Sequence, residues 1–215
     1  MKAPDVVVID YGVGNLLSVQ RGLEQCGAHV TITADSATIL AARRVVLPGV
    51  GAFGNAMQAL QKLRLADVIR ELANRESSLL GICLGMQLLL EESEEFGNAT
   101  GLGLIPGRVI PVPTLTTEGT LQKVPHIGWN SLVPAASMRS WSNTILEATH
   151  EGDAAYFVHS FMAVPADQED RLADCIYGGH RIPAVICKGR ITGCQFHPEK
   201  SGAVGLAILK RFLLQ

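Results

Sequence analysis

Short runs of Val, Ile and Leu alternate with amphipathic stretches through the first half of the chain. Residues 6–10, 44–47 and 79–83 are nearly unbroken apolar segments, and 29–33 is a shorter β-branched one. An apolar run without polar alternation marks a strand covered on both faces, as strands of parallel sheets are. Between these runs, 16–26 carries apolar residues at helical spacing and 56–72 predicts one helix or two. The alternation predicts an α/β architecture, a mostly parallel sheet with helices on both faces. Ligands of such sheets gather at the carboxyl ends of the strands.

The second half changes character. Residues 109–113, 123–124, 156–161, 175–177, 184–188 and 191–196 read as strands joined by turns, with no strong helix until 203–214. They predict an antiparallel extension packed on the parallel sheet. Segments 113–122 and 135–152, rich in Thr, Ser, Gly and Asn, read as loops.

Composition narrows the picture without changing it. At 215 residues, 47% hydrophobic and 18% charged, the chain can bury a substantial core and is expected to form one domain, 1–215. A net charge of −2 leaves no electrostatic footprint for nucleic acid or an acidic membrane. The start of the chain lacks a leader pattern, and its longest apolar stretch, 79–90, is too short to cross a bilayer, so a cytoplasmic protein is expected. Five cysteines without CxxC spacing predict neither a disulfide framework nor a metal site.

Candidate chemistry lies where the sheet should collect it. Gly81-Ile82-Cys83-Leu84-Gly85-Met86-Gln87 follows an apolar strand and leads into a helix, the layout of a nucleophile elbow with sulfur in place of a serine oxygen. Small Gly81 and Gly85 allow a close turn, Leu84 offers a backbone N–H beside the sulfur, and the helix dipole favours thiolate. Near the other end, His197-Pro198-Glu199 supplies a base and an orienting carboxylate. Pro48-Gly49-Val50-Gly51-Ala52-Phe53-Gly54 turns after the third strand, and its Val50 loop is the candidate for a second oxyanion donor. Gly12-Val13-Gly14 is only a fragment of a dinucleotide fingerprint, and no nucleotide cofactor is expected. Taken singly, Cys83 would be ordinary core and His197 a satisfied side chain; the pair of motifs makes them a candidate catalytic set.

The elbow and the His-Pro-Glu motif together resemble the class I, or triad-type, glutamine amidotransferases, over residues 6–214. Among these the chain is most similar to the glutaminase subunits of imidazole glycerol phosphate synthases, through the Tyr11 to Asn15 loop, the Pro48 to Phe53 loop, Pro125-His126-Ile127-Gly128-Trp129-Asn130 and Tyr156-Phe157-Val158-His159-Ser160-Phe161. The resemblance implies a flavodoxin-like fold, a Cys83–His197–Glu199 triad working through a glutamyl thioester, and an oxyanion hole at Val50 and Leu84. It implies that Gly51, Gln87, Glu95, Ser160 and Phe161 hold L-glutamine, with Phe161 where many relatives carry tyrosine. It further implies a heterodimer with a (β/α)8-barrel cyclase that receives ammonia in histidine biosynthesis, docked over Asn15, His126, Trp129 and Lys200, with no cofactor or metal. By its amino acids alone, Trp129 fits an interface anchor and a core residue equally, and the Glu91 to Glu95 run reads mostly as a solvated acidic helix end. Three other functions share some of these features: an amidotransferase subunit serving purine or pyridoxal phosphate synthesis, a stand-alone thiol hydrolase, and a non-catalytic binding module.

Overall fold

A computed structural model describes residues 5–75, 77–138 and 140–215. The first half winds as expected: β1 (Asp5–Ile9), α1 (Leu16–Gln25), β2 (His29–Thr33), α2 (Ser36–Ala41), β3 (Arg44–Leu47), α3 (Phe53–Lys62), α4 (Leu65–Ala73), β4 (Ser78–Ile82) and α5 (Leu84–Leu88). The 56–72 stretch is two helices, because Arg64 takes a left-handed conformation between them (φ 56°). Helix α2 has no counterpart in the sequence reading. Its six residues are too few for a periodic signal, and Asp35, which accepts from the Thr38 N–H, starts it.

Two very short strands, β5 (Glu92–Ser93) and β6 (Ala99–Thr100), precede β7 (Gly107–Pro111), β8 (His126–Pro134), β9 (Ala154–His159), β10 (Phe161–Pro165), β11 (Arg171–Tyr177), β12 (His180–Lys188), β13 (Ile191–Cys194) and α6 (Gly202–Phe212). Nine strands form one sheet in the order β2-β1-β3-β4-β13-β12-β11-β8-β9. Strands β12, β11, β8 and β9 therefore continue the parallel sheet at its edge instead of packing upon it, while β7 and β10 leave it. Strand β13, expected within the antiparallel part, runs parallel to β4 with Gly193 opposite Gly81 and Cys194 opposite Ile82. It pairs with β12 on its other side in the antiparallel sense. A second sheet, β10-β7-β5-β6, takes up the remaining strands.

Alternation along each strand divides the core between the two faces. Val6 and Val8 of β1 pack toward α1 and α6, with Val19, Leu23, Ile208, Leu209 and Phe212. Val7 and Ile9 pack the other way, toward α2 to α5 and the small sheet, with Ile39, Phe53, Leu60, Ile69 and Val109. The 135–152 segment is irregular, as its composition suggested, yet it is not a mere surface loop. It inserts Trp141, Ile145 and Leu146 into the core, and the Trp141 indole N–H donates to the Leu172 carbonyl at 2.8 Å. Residues 123–124 are not a strand: pairing begins at His126, after Pro125, which has no N–H to give a ladder. Strand 156–161 is broken at Ser160 into β9 and β10, which belong to different sheets. Among the described residues no helix is long and apolar enough to cross a membrane.

Candidate active site

The elbow is built by close approach of backbone to backbone. A Cβ on Gly85 would lie 1.8 Å from the Leu47 carbonyl oxygen, and one on Gly81 2.7 Å from the Gly85 oxygen, so both positions exclude a side chain. The turn they permit places Cys83 at φ 54°, ψ −111°, a conformation rarely held by a residue with a Cβ. The Cys83 N–H donates to Cys194 O at 2.7 Å, fastening the elbow to β13. The helix that follows is only five residues long, so less dipole stands behind the sulfur than the sequence suggested. What remains is local: the Leu84 N–H opens the helix, and the residue four back, Leu80, belongs to β4, so no intrahelical bond claims it.

The β4–β13 register brings the second motif to the first. Cys194 lies level with Ile82 on the neighbouring strand, and three residues further on His197 stands beside Cys83. A single 3-10 turn, Pro198–Lys200, carries Glu199 back so that its Oε1 meets His197 Nδ1 at 2.9 Å. Nδ1 is thereby committed, which leaves Nε2 as the ring nitrogen for Cys83. Burial lowers the affinity of His197 for a proton, but hydrogen bonding and charge from Cys83 and Glu199 outweigh it and push its pKa up to about 10. Glu199 Oε2 is buried with no hydrogen-bond partner among the described residues. It borders a cavity of about 10 Å³ behind the Val50 loop, room for about one water.

A cleft of about 280 Å³ opens above the sulfur, and Val50, Gly51, Leu84, Gln87, Glu95, Ser160 and Phe161 all line it together with Cys83 and His197. The Glu91 to Glu95 run is not a helix end. Helix α5 stops at Leu88, and the run contains β5 before turning Glu95 inward, where its carboxylate accepts the Phe53 N–H of α3 at 2.6 Å. The missing hydroxyl of Phe161 costs the site little, because its backbone carbonyl does the bonding: it accepts from Gln87 Nε2 at 3.0 Å and from His159 Nδ1 at 2.9 Å. His159 Nε2 in turn accepts from His126 Nδ1 at 3.0 Å. Burial pushes the pKa of both rings down to about 4, so the pair is neutral at pH 7.

A family model for class-I glutamine amidotransferases matches residues 7–215. The chain belongs to that family. The amidotransferase is 49% identical over 208 residues to a Legionella pneumophila (strain Lens) protein named imidazole glycerol phosphate synthase subunit HisH 1, covering 97% of this chain and 98% of that one. It is 47% identical over 206 residues to a protein named imidazole glycerol phosphate synthase subunit HisH from Geobacillus thermodenitrificans, covering 96% and 93%. The solved structure of PurLQS from Thermotoga maritima superposes with a TM-score of 0.73 over 99% of this chain and 98% of that one; at 20% identity, this likeness concerns the fold.

The four residues expected on a docking face of the amidotransferase do not share one environment. Asn15 and Lys200 are exposed, and Trp129 is 59% exposed on β8 beside exposed Ile127, which settles it as a surface residue. His126 is different. At 2% exposure it lies beneath that face, stacked between Phe157 and Tyr177, because strand alternation turns it inward while Ile127 and Trp129 turn out. Three residues of the amidotransferase site have no role assigned from the sequence: His159, Gln195 and Tyr11, whose hydroxyl donates to Pro48 O at 2.8 Å and braces the Val50 loop. Gln195 stands two residues before His197, just past the end of β13 at Cys194, and an amide between apolar Cys194 and Phe196 is its signal in the sequence.

Proposed function

We propose that this amidotransferase is the glutaminase subunit of an imidazole glycerol phosphate synthase, one domain over 1–215. It hydrolyses L-glutamine and hands the ammonia to a (β/α)8-barrel cyclase subunit that forms imidazole glycerol phosphate and aminoimidazole carboxamide ribotide. The observation that carries the reading is the meeting of Cys83 with the His197–Glu199 pair in one cleft, 2.9 Å separating the last two. The names of relatives at 47–49% identity support the choice of synthase.

The geometry supports the following steps. The Cys83 proton rests on His197 Nε2, whose raised pKa keeps it there at pH 7, and the sulfur attacks the side-chain carbonyl carbon of glutamine. The carbonyl oxygen becomes an oxyanion between the Leu84 and Val50 N–H groups. His197 returns its proton to the departing nitrogen, ammonia leaves, and a glutamyl thioester remains. His197 then takes a proton from water, whose oxygen displaces sulfur to give glutamate. Glu199 holds the imidazole in one tautomer and stabilises its cation. Gly51, Gln87, Glu95, Ser160 and Phe161 hold the substrate, with the Glu95 carboxylate matched to its ammonium. Asn15, Trp129 and Lys200 face the cyclase, and His126 supports Trp129's strand from below.

Cys83→Ser tests this in a complex with the cyclase. Glutamine-driven synthesis should vanish while synthesis from ammonium salt persists, because the cyclase needs only ammonia from this subunit. Loss of both would make Cys83 structural, and retention of both would exclude it as nucleophile.

A further inference from the structure

Gln195 is fully buried in the wall behind the nucleophile, at 0% exposure. Burying an amide is costly unless both its ends are bonded, so its partners carry information. Their direction can be worked out from one fixed point. The Phe161 carbonyl only accepts, so the Gln87 atom 3.0 Å away must be its NH₂ group. That group's second hydrogen goes to the side-chain oxygen of Gln195 at 2.9 Å. The oxygen of Gln195 being committed, its NH₂ group is the end that faces Cys83, with Nε2 3.9 Å from Sγ. Besides His197, the sulfur has the Val158 carbonyl at 3.7 Å, which accepts from a thiol and repels a thiolate.

We propose that Gln195, oriented by the Phe161 carbonyl through Gln87, donates its side-chain N–H to the Cys83 sulfur and so favours the thiolate over the thiol. It opposes the Val158 carbonyl. When the thiol proton moves to His197 Nε2, the S–H donation to Val158 ends and the electron pair left on sulfur accepts from Gln195. The contact is long for the thiol and shortens for the anion, as charge-assisted hydrogen bonds do. The same chain of bonds turns the carbonyl of Gln87 toward the cleft, since both its hydrogens are used within the wall. Gln195 is therefore a positioning residue for the sulfur, in a role that rests on Cys83 being the nucleophile.

The test is the pH profile of Cys83 alkylation by iodoacetamide, read at the Cys83 peptide by mass spectrometry, which needs neither glutamine nor cyclase. Gln195→Met, close in shape and lacking the donor, should raise the midpoint by about one pH unit, roughly tenfold less thiolate below it. A folded Gln195→Met variant with the wild-type profile overturns the proposal and reduces Gln195 to a prop for Gln87. Where that variant does not fold, the wild-type protein answers: the side-chain NH₂ resonance of Gln195 should move as Cys83 titrates and stay still in Cys83→Ser. A resonance that ignores the titration overturns the proposal equally. If wild-type Cys83 reacts no faster than an ordinary thiol, the nucleophile assignment fails first, a result distinct from failure at Gln195.

Discussion

The two sides of the cleft are held in place by opposite means. On the Cys83 side, the backbone is set by exclusion: Gly81 and Gly85 bring backbone so near to backbone that no side chain fits, and the polar contacts of the sulfur to Gln195 and Val158 are long, at 3.9 and 3.7 Å. On the His197 side it is set by polar matching, through Glu199, the Phe161 carbonyl and the paired rings of His126 and His159. Exclusion fixes the sulfur's direction without tuning its chemistry. Hydrogen bonding does both, because each bond that orients a ring also favours one of its charge states.

This contrast makes damage to the first side structural and damage to the second graded. The largest effect should come from Gly85→Ala, whose Cβ would sit 1.8 Å from the Leu47 oxygen. Neither backbone can yield without moving β3 or the elbow, so a loss on the order of 3 kcal/mol or more is expected in urea unfolding. Gly54→Ala, where a Cβ meets nothing within 4 Å, is the control that should leave stability intact. Unchanged stability in Gly85→Ala would break the comparison.

Glu199→Gln should spare the fold and slow turnover. A neutral amide can still hold His197 but no longer stabilises its cation, so kcat should fall about ten- to a hundredfold, about 1.4–2.8 kcal/mol in barrier. Full activity in Glu199→Ala would remove Glu199 from the triad.

The smallest effect sharpens the comparison within the polar side. The pKa of His197 is about 10 when folded, above its usual value near 6.5, so its contribution is fully present below pH 6.5 and is lost as pH rises through 10. His126 and His159, held near 4, contribute in the opposite sense: their stability is present above pH 6.5 and is lost as pH falls through 4. Urea unfolding across pH should show both slopes. His197→Ala should flatten only the alkaline one and His126→Phe mainly the acid one; a variant that flattens the wrong limb refutes the assignment.

Much of this was legible in the amino acids. Continuous apolar runs gave the parallel strands, since a strand covered on both faces has no polar positions to spare. Small residues around Cys83 and the His-Pro-Glu spacing pointed to the candidate catalytic set, because an elbow and a two-residue His–Glu turn are local geometry. Phenylalanine at 161, lacking a hydroxyl, also confined that residue's hydrogen bonds to its backbone. Tertiary structure decided the rest. No local signal says that β13 slots between β4 and β12, yet that register alone carries His197 to Cys83. His126 and Trp129 stand three residues apart in one motif, and only the neighbours of β8 determine that one is sealed under Tyr177 while the other meets solvent. Gln195 is an amide just past the end of an apolar strand until the fold surrounds it. Its partners come from α5 and, through Gln87, from β10, and a hydrogen bond's direction depends on all of them at once.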